Sequence, residues 1–169
     1  MPLFLLIPLL IKIDSKGPIF FYSDRVGKKN KIFKMLKFRS MHVGTKIIET
    51  SKLSDPKKNV TKVGIFLRNF SIDEIPQFFS VLKGDMSIVG PRPALPSQVD
   101  LIDMRKKFGI SILKPGITGL AQINGRDLIS DQKKVKFELE YLKNKNLILD
   151  LKILFKTIFV VFKKKGTSH

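Results

Sequence analysis

The apolar residues of this chain concentrate at its two ends, and its middle alternates short apolar runs with lysine-rich turns. The first eleven residues, MPLFLLIPLLI, carry no charged side chain and include Pro2 and Pro8. A helix that crosses a bilayer needs about 20 apolar residues, so this run is too short to span one. Two interpretations stay open: a core segment of a soluble domain, or a segment that dips into a bilayer without crossing it, which the prolines fit.

A β-hairpin is predicted in the basic stretch that follows. Ile19 to Tyr22 is a β-prone apolar run, and Gly27 to Lys31 (GKKNK) has the composition of a turn. Residues 32–41 then alternate loosely between apolar and basic positions, as the second arm of a hairpin does. Because the lysines of this arm recur every three residues, a short helix is an alternative for it. Residues 43–62 are polar and are predicted to form a loop.

Further elements are predicted from capping and charge patterns. A helix is expected over Val63 to Asn69, and another from Ser71. The SIDE tetrapeptide that begins there matches a capping box, with Ser71 as N-cap and Glu74 as the third helical residue. After Lys114 the PGITG and NGR stretches indicate turns, and Asp131 to Lys143 has helical charge spacing.

The C-terminal stretch DLKILFKTIFVVFKKKG predicts an amphipathic helix over about residues 150–165. Asp150 is a suitable N-cap, and the lysine cluster suits the negative end of a helix dipole. Lys152, Lys156 and Lys163 lie on one side at helical spacing, and apolar residues fill the rest. An apolar face bordered by lysine is typical of a helix at a membrane interface. The alternative is an ordinary amphipathic helix packed on the core.

Composition narrows the chemistry that the chain can perform. Its 169 residues suit a single domain, and a formal net charge of +18 indicates a polyanionic partner: nucleic acid, anionic lipid or a phosphorylated substrate. The lack of Trp and of an aromatic-basic motif argues against nucleic acid. With no Cys, and with His42 and His169 as the only histidines, thiolate metal sites are excluded and a His-based site is disfavoured. Chemistry must then use Asp, Glu, Lys, Arg or hydroxyl groups.

An adjacent pair of acids, Asp73 and Glu74, is the strongest candidate for that chemistry. The capping box alone explains the pair without any catalytic role. Pro76 favours a role beyond capping, because a helix that needs only a stable first turn does not require a proline there. Neighbouring helical positions point about 100° apart, so the two carboxylates can approach one ligand from two angles, as a nucleophile and a separate base.

Arg92 follows in the sequence GPRP, between Pro91 and Pro93, whose rings fix their own φ angles. A guanidinium on such a stiff loop binds phosphate at reduced entropic cost, although a solvent-facing arginine is an equally simple interpretation. Carboxylates and arginines without His or Cys favour phosphoryl transfer at a carboxylate nucleophile. Mg²⁺ is the metal that such a set suits, because it prefers carboxylate and phosphate oxygens.

Three blocks in this order, KFRSM, SIDEIPQFFSVLKGDMSIVGPRP and KPGITGLAQINGR, resemble the bacterial sugar transferase family, the small monotopic phosphoglycosyl transferases. The resemblance implies a membrane-associated, mainly helical α+β fold with a small β-hairpin and short and amphipathic interfacial helices. It implies an enzyme that transfers a sugar 1-phosphate from a UDP-sugar to undecaprenyl phosphate and releases UMP, which starts glycan assembly on a lipid carrier. The expected location is the cytoplasmic face of the bacterial inner membrane, with membrane lipids as further partners.

The same resemblance implies roles for individual residues. Asp73 is expected to be the nucleophile, to form a covalent acyl-phosphate intermediate and to bind Mg²⁺. Glu74 is expected to assist as a neighbour of the metal or as a base for the lipid phosphate. The basic residues expected to contact phosphate or sugar are Lys37, Arg68, Arg92 and Arg126.

The resemblance also predicts how the chain is organised. Residues 1–13 correspond to part of a re-entrant or interfacial membrane segment, and residues 14–169 to a single catalytic domain. In the family the membrane segment is a helix that breaks at a Ser-Pro and leaves through the leaflet it entered. Pro2 matches that proline and Met1 stands where the serine would be, so we expect an N-terminally truncated chain. An inactive homologue that only binds membranes is the alternative to an enzyme.

Overall fold

The computed structural model describes residues 2–48, 56–125 and 128–162, and within them it confirms a mainly helical α+β fold. The strands are β1 (Phe20–Val26), β2 (Ile32–Phe38), β3 (Ser87–Val89) and β4 (Gly116–Thr118). The helices are α1 (Pro2–Asp14), α2 (Pro56–Asn59), α3 (Lys62–Asn69), α4 (Gln77–Leu82), α5 (Val99–Lys107), α6 (Leu120–Ile123), α7 (Asp131–Asn144) and α8 (Leu147–Phe162). Single 3₁₀ turns occur at Lys28–Asn30, Ile72–Glu74 and Ile110–Ile112.

The predicted β-hairpin is confirmed, and the helical alternative for its second arm is wrong. Strands β1 and β2 pair antiparallel, from Phe20 opposite Phe38 to Val26 opposite Ile32. The GKKNK turn closes with a hydrogen bond of 2.8 Å from the Gly27 N–H to the Lys31 carbonyl. Phe33 and Met35 of β2 are buried, whereas Ile32 and Lys34 are exposed, and a one-residue slip would exchange these faces.

A second, two-stranded sheet corrects one prediction. PGITG was expected to form a turn, but Gly116–Thr118 is strand β4, which pairs in parallel with β3. The pairing depends on close backbone approach, since a Cβ on Gly116 would lie 2.1 Å from the Gly90 nitrogen. Glycine therefore serves here to bring two backbones together, and its local turn signal was misleading.

The capping box predicted at Ser71 is also wrong. Ser71 has a left-handed backbone (φ 54°) and no capping hydrogen bond from its side chain. One 3₁₀ turn, Ile72–Glu74, follows, and α4 begins only after Pro76. Because a proline cannot donate a backbone hydrogen bond, Pro76 ends the first turn and starts a new helix. The acids lie in this short turn and not in the body of a helix.

Helix α1 packs on α3 and on the hairpin with one face. Its Ile7 and Ile11 are buried against Phe38 and Leu67. The opposite face is apolar and exposed, and it includes Leu6, Leu9, Leu10 and Ile13. No helix within the described ranges combines the length and the apolar character that crossing a membrane requires.

Helix α7 forms as predicted, whereas the start of α8 differs from the prediction. Helix α8 begins at Leu147, capped by a hydrogen bond of 2.8 Å from the Leu149 N–H to Asn146 Oδ1. Asp150 is therefore not the N-cap, and it accepts a hydrogen bond of 2.7 Å from the Tyr141 hydroxyl instead. The predicted end of this helix and Lys163 lie outside the described residues.

The two faces of α8 have different surroundings. Ile153 is buried in a cluster with Val89 and Tyr141. The exposed face carries large apolar side chains, among them Leu151, Phe155 and Phe159. Helix α8 therefore packs one face in the core and exposes large apolar side chains together with Lys152 and Lys156.

Candidate active site

The structure brings the predicted site residues that it describes to one cavity of about 390 Å³. The hairpin, the segment after it and the loop that carries GPRP form its walls. The predicted residues that line it are Lys37, Arg68, Asp73, Glu74 and Arg92. The remaining predicted contact, Arg126, lies outside the described residues.

Both carboxylates are buried beside an ammonium group from the hairpin. Asp73 is 5% exposed and Glu74 is 6% exposed. Lys37 Nζ lies 2.8 Å from Glu74 Oε1 and 3.7 Å from Asp73 Oδ2. A buried carboxylate is costly unless it is paired and hydrogen-bonded. Lys37 therefore allows two acids to stay close together in the interior.

The electrostatic state of Lys37 reflects this position. Burial lowers the pKa of the Lys37 ammonium from its ordinary value, because desolvation disfavours the charged form. The Glu74 and Asp73 carboxylates oppose that change, whereas the Arg92 guanidinium adds to it. The pKa of Lys37 thus reflects two opposing effects: attraction to the acids, which raises it, and desolvation, which lowers it.

The GPRP loop is fixed through its carbonyl groups. Prolines have no N–H to donate, so the carbonyls are the main means of attaching such a loop. The donors to the carbonyls of residues 90 to 93 are, in order, Gln122 Nε2 (3.4 Å), Gly116 N (2.8 Å), Arg105 Nη2 (3.0 Å) and Arg25 Nη1 (3.3 Å). Arg92 Nη1 then lies 3.3 Å from Glu74 Oε1. The loop therefore presents its guanidinium to the acids from a backbone attached at four consecutive residues.

Arg105 is itself held by a buried carboxylate on α7. Its Nε lies 2.7 Å from Glu138 Oε2, and its Nη2 lies 2.5 Å from Glu138 Oε1. Burial raises the pKa of Glu138, and the Arg105 guanidinium opposes that rise. Neither residue of this pair was predicted from the sequence. Arg105 lies in an unremarkable basic cluster, and Glu138 looks like one of several surface charges on a helix.

Another arginine near the cavity serves the fold. Arg39 donates to the carbonyls of Ser15 (2.7 Å) and Lys16 (2.9 Å), just after the end of α1. The Asp14 carboxylate, at the last residue of α1, accepts a hydrogen bond of 2.9 Å from the Val63 N–H at the start of α3. Helix α1 is thereby attached to the strand that carries Lys37.

Basic side chains outnumber acids around the cavity. Besides Asp73 and Glu74, the charged side chains among its described lining residues are Arg25, Lys37, Arg39, Lys46, Arg68 and Arg92. Such a surface concentrates phosphate-bearing molecules, and guanidinium groups bind phosphate through paired hydrogen bonds. The cavity is therefore suited to anionic ligands, and it also contains carboxylates.

The residues present fit a magnesium ion that is shared with a substrate. Asp73 and Glu74 provide adjacent carboxylates on the cavity wall. Within the described part of the chain, no group of three or more His, Cys, Asp or Glu side chains could hold a metal by itself. Mg²⁺ is commonly bound through one or two carboxylates together with substrate phosphates. Asp73 would be the protein ligand, with Glu74 beside it.

Paired carboxylates inside a basic cavity form a site suited to phosphate-bearing ligands. The model of the family described as bacterial sugar transferase matches residues 1–164, and this chain belongs to that family. The resemblance of the three sequence blocks is thus confirmed.

Three relatives illustrate the similarity. The chain is 44% identical to a UDP-N-acetylgalactosamine-undecaprenyl-phosphate N-acetylgalactosaminephosphotransferase of Aeromonas hydrophila, over 93% of this chain and 38% of that protein. It is 43% identical to the UDP-glucose:undecaprenyl-phosphate glucose-1-phosphate transferase of Escherichia coli K12, over 98% of this chain and 37% of that protein. It is 39% identical to the exopolysaccharide production protein ExoY of Rhizobium meliloti strain 1021, over 98% of this chain and 80% of that protein. The chain therefore spans less than half the length of the first two relatives and most of the third.

Proposed function

We propose that this protein is a phosphoglycosyl transferase that moves a sugar 1-phosphate from a UDP-sugar to undecaprenyl phosphate and releases UMP. The observation that carries the proposal is the burial of Asp73 and Glu74 on the wall of a cavity lined by basic side chains. The names of two relatives supply the class of donor and the acceptor. Carboxylates and basic residues together suit attack on a phosphorus atom of a dianionic donor.

The first half-reaction uses Asp73 as the nucleophile. A carboxylate oxygen of Asp73 attacks the phosphorus that carries the sugar, and a bond forms between the two. The bond from that phosphorus to the bridging oxygen breaks, and its electron pair leaves on the oxygen of UMP. The basic residues of the cavity stabilise the charge that builds up on the phosphoryl oxygens.

The second half-reaction returns Asp73 to its starting state. An oxygen of the acceptor phosphate attacks the same phosphorus, the bond to Asp73 breaks, and its electron pair returns to the carboxylate. The product is a polyprenyl diphosphate sugar. When the attacking phosphate carries a proton, Glu74 accepts it, and its position beside Asp73 suits this role.

The basic residues position these groups. Lys37 contacts both carboxylates and offsets part of the cost of burying them. Arg92 is held by its loop where it can contact both Glu74 and a phosphate in the cavity. Arg68 lines the same cavity, and Arg126 remains a proposed contact on the basis of the family resemblance alone. Bound Mg²⁺ would neutralise charge on the diphosphate of the donor.

We place the protein at the cytoplasmic face of the bacterial inner membrane. The support is the pair of exposed apolar faces on α1 and α8, because soluble proteins rarely expose large apolar patches without a function. Such faces suit binding at the lipid interface, and the excess of basic residues favours anionic lipids.

The proposal is tested by measuring UMP release from a panel of UDP-sugars that includes UDP-glucose and UDP-N-acetylgalactosamine. The full chain is assayed in vesicles with undecaprenyl phosphate, with Mg²⁺ or with EDTA. We expect UMP and a lipid-linked sugar in equal amounts from at least one donor, and a loss of most activity in EDTA. No UMP from any donor in the panel would favour an inactive membrane-binding homologue. Salt-dependent binding to DNA would instead favour a nucleic-acid-binding protein.

A further inference from the structure

A second cavity lies against the catalytic residues from another side. It has a volume of about 120 Å³ and is formed by residues of α4, β4, α6 and α8 together with residues before α4. Its described lining shares two residues with the larger cavity, Glu74 and Arg92. The two cavities therefore share a wall formed by Glu74 and Arg92, whose side chains lie 3.3 Å apart.

The walls of this second cavity are mainly apolar. Its apolar lining includes Ile75, Phe78, Ile117, Ile123, Val160 and Val161. The larger cavity, in contrast, has charged side chains on several sides. A sugar or a nucleotide would leave its hydroxyl groups without partners in the smaller cavity, which is costly. An apolar chain is the occupant that such walls suit.

The Thr and Gln side chains in its lining either form hydrogen bonds within the protein or offer only an acceptor, which cannot bind a phosphate. The hydroxyls of Thr118 and Thr157 lie 2.7 Å apart, and Thr157 also contacts the Ile153 carbonyl. The Gln122 amide uses its Nε2 on the Gly90 carbonyl, and its buried Oε1 has no partner among the described residues. Because that oxygen can only accept hydrogen bonds, it cannot bind an ionised phosphate. Among the residues in the lining, Arg92 supplies the positive charge and paired donors that suit a phosphate.

We propose that this cavity binds the first isoprene units of the polyprenyl phosphate acceptor, with the acceptor phosphate at Arg92. The inference rests on the proposed function and assigns one substrate to a separate subsite. An amphiphile with an apolar chain and an anionic head matches a cavity that is apolar along its walls and has the Arg92 guanidinium at the wall it shares with the larger cavity. Donor and acceptor would then approach Asp73 through different cavities, which suits two successive half-reactions.

The experiment fills the cavity and follows each half-reaction separately. Val161→Phe and Ile117→Phe place larger side chains in the cavity lining. Ile158→Phe is the matched control, because Ile158 is an exposed apolar residue of α8 and does not line the cavity. Each full chain is placed in phosphatidylethanolamine and phosphatidylglycerol vesicles. We measure the UMP burst without acceptor and the KM for undecaprenyl phosphate.

We expect both filled variants to retain the UMP burst, which also shows that they are folded. Their KM for undecaprenyl phosphate should rise by about tenfold or more, because buried isoprene carbons lose their contacts. The control should keep the KM of the unmodified chain. An unchanged KM in the filled variants, or an equal rise in the control, would overturn the inference. Loss of the burst in the unmodified chain would count against the proposed function instead.

A binding measurement tests the subsite independently of turnover. A short prenyl phosphate with a photoreactive group at the end of its chain is irradiated with the full chain in the same vesicles. We expect the label on residues 117–123 or 157–161, and displacement of the probe by undecaprenyl phosphate. Labelling elsewhere in the chain would overturn the inference. Displacement by added phosphatidylglycerol as effectively as by undecaprenyl phosphate would also overturn it, and would assign the cavity to a membrane acyl chain.

Discussion

Glu74 is the residue at which the elements of the site meet. Its Oε1 accepts a hydrogen bond of 2.8 Å from Lys37 Nζ, and Arg92 Nη1 lies 3.3 Å from the same Oε1. Asp73 is next to it in the chain and lies 3.7 Å from Lys37. Cations beside the two buried acids offset part of the cost of burying them. The reaction rate at such a site should depend on the shape of each cationic side chain as well as on its charge.

Replacement of Arg92 tests that sensitivity. We expect Arg92→Ala to lower the rate of the UMP burst by about 100-fold, as loss of a preorganised donor does elsewhere. Arg92→Lys should keep part of the rate, because an ammonium supplies charge without the paired geometry of a guanidinium. The measurement is a rapid-quench assay of UMP at saturating donor, with circular dichroism to confirm folding. Equal rates for the two variants would show that paired geometry has no role.

At the scale of elements, the position of Arg92 depends on helices that do not touch the cavity. Arg105 on α5 donates to the Arg92 carbonyl, and Glu138 on α7 holds Arg105 through both carboxylate oxygens. Both side chains are largely buried. Breaking such a pair leaves a charge without compensation in the interior, which is far more costly than losing a surface ion pair.

Glu138→Gln should therefore destabilise the protein by about 3–5 kcal/mol, because it leaves the Arg105 guanidinium buried beside a neutral amide. Chemical denaturation of the variant measures this. Glu140→Gln on the same helix is the control, and we expect it to change the free energy of unfolding by less than about 0.5 kcal/mol.

The double variant Arg105→Met/Glu138→Leu removes both charges and should recover part of the stability. Its kcat should stay low even when folded, because the Arg92 carbonyl has lost its donor. Full activity in a folded double variant would show that Arg105 does not position the loop.

The same elements show what the sequence can and cannot predict. The hairpin and α7 follow from local patterns of apolar and charged residues, and both were predicted. Ser71 matched a local capping pattern, but Pro76 divides the helix and Ser71 adopts a left-handed backbone. PGITG forms a strand because it pairs with a segment almost thirty residues earlier, which no local rule detects. The Arg105–Glu138 contact spans 33 positions and has no local signature.

For the site, adjacency and residue type made Asp73, Glu74 and Arg92 recognisable in the sequence. Their joint approach to one cavity required the fold. Lys37 comes from a different element and meets the acids only because the hairpin packs beside the Ile72–Glu74 turn. The smaller cavity involves residues from four elements, so nothing in any single stretch predicts it.

At the scale of the whole molecule, the proposed location at the bilayer needs a surface that binds lipid. Phe155 and Phe159 are exposed on α8, and their rings contact each other with centroids 5.1 Å apart. Burying one such side chain in an apolar environment contributes about 1.5–3 kcal/mol. Because both are on the surface, changing them should affect membrane binding more than folding.

We expect Phe155→Ser/Phe159→Ser to weaken binding to phosphatidylglycerol-containing vesicles by at least about tenfold in a flotation assay. The control is Tyr22→Ser/Ile32→Ser, which removes two exposed side chains from the hairpin and should leave binding within about twofold. A similar loss in both variants, or none in the first, would contradict a membrane contact through α8.

In the proposed reaction, Asp73 carries the sugar phosphate between donor and acceptor. The most direct measurement incubates the full chain with a UDP-sugar labelled at the phosphorus that bears the sugar, without acceptor, and follows protein-bound label and UMP together. We predict UMP and protein-bound label in equal amounts, with the label on the peptide that contains Asp73. Asp73→Asn should give neither product, and Asp85→Asn, at a partly exposed acid outside both cavities, should give both. UMP that forms only when acceptor is present, with no labelled protein at any time, would contradict the account, as would normal UMP release from Asp73→Asn.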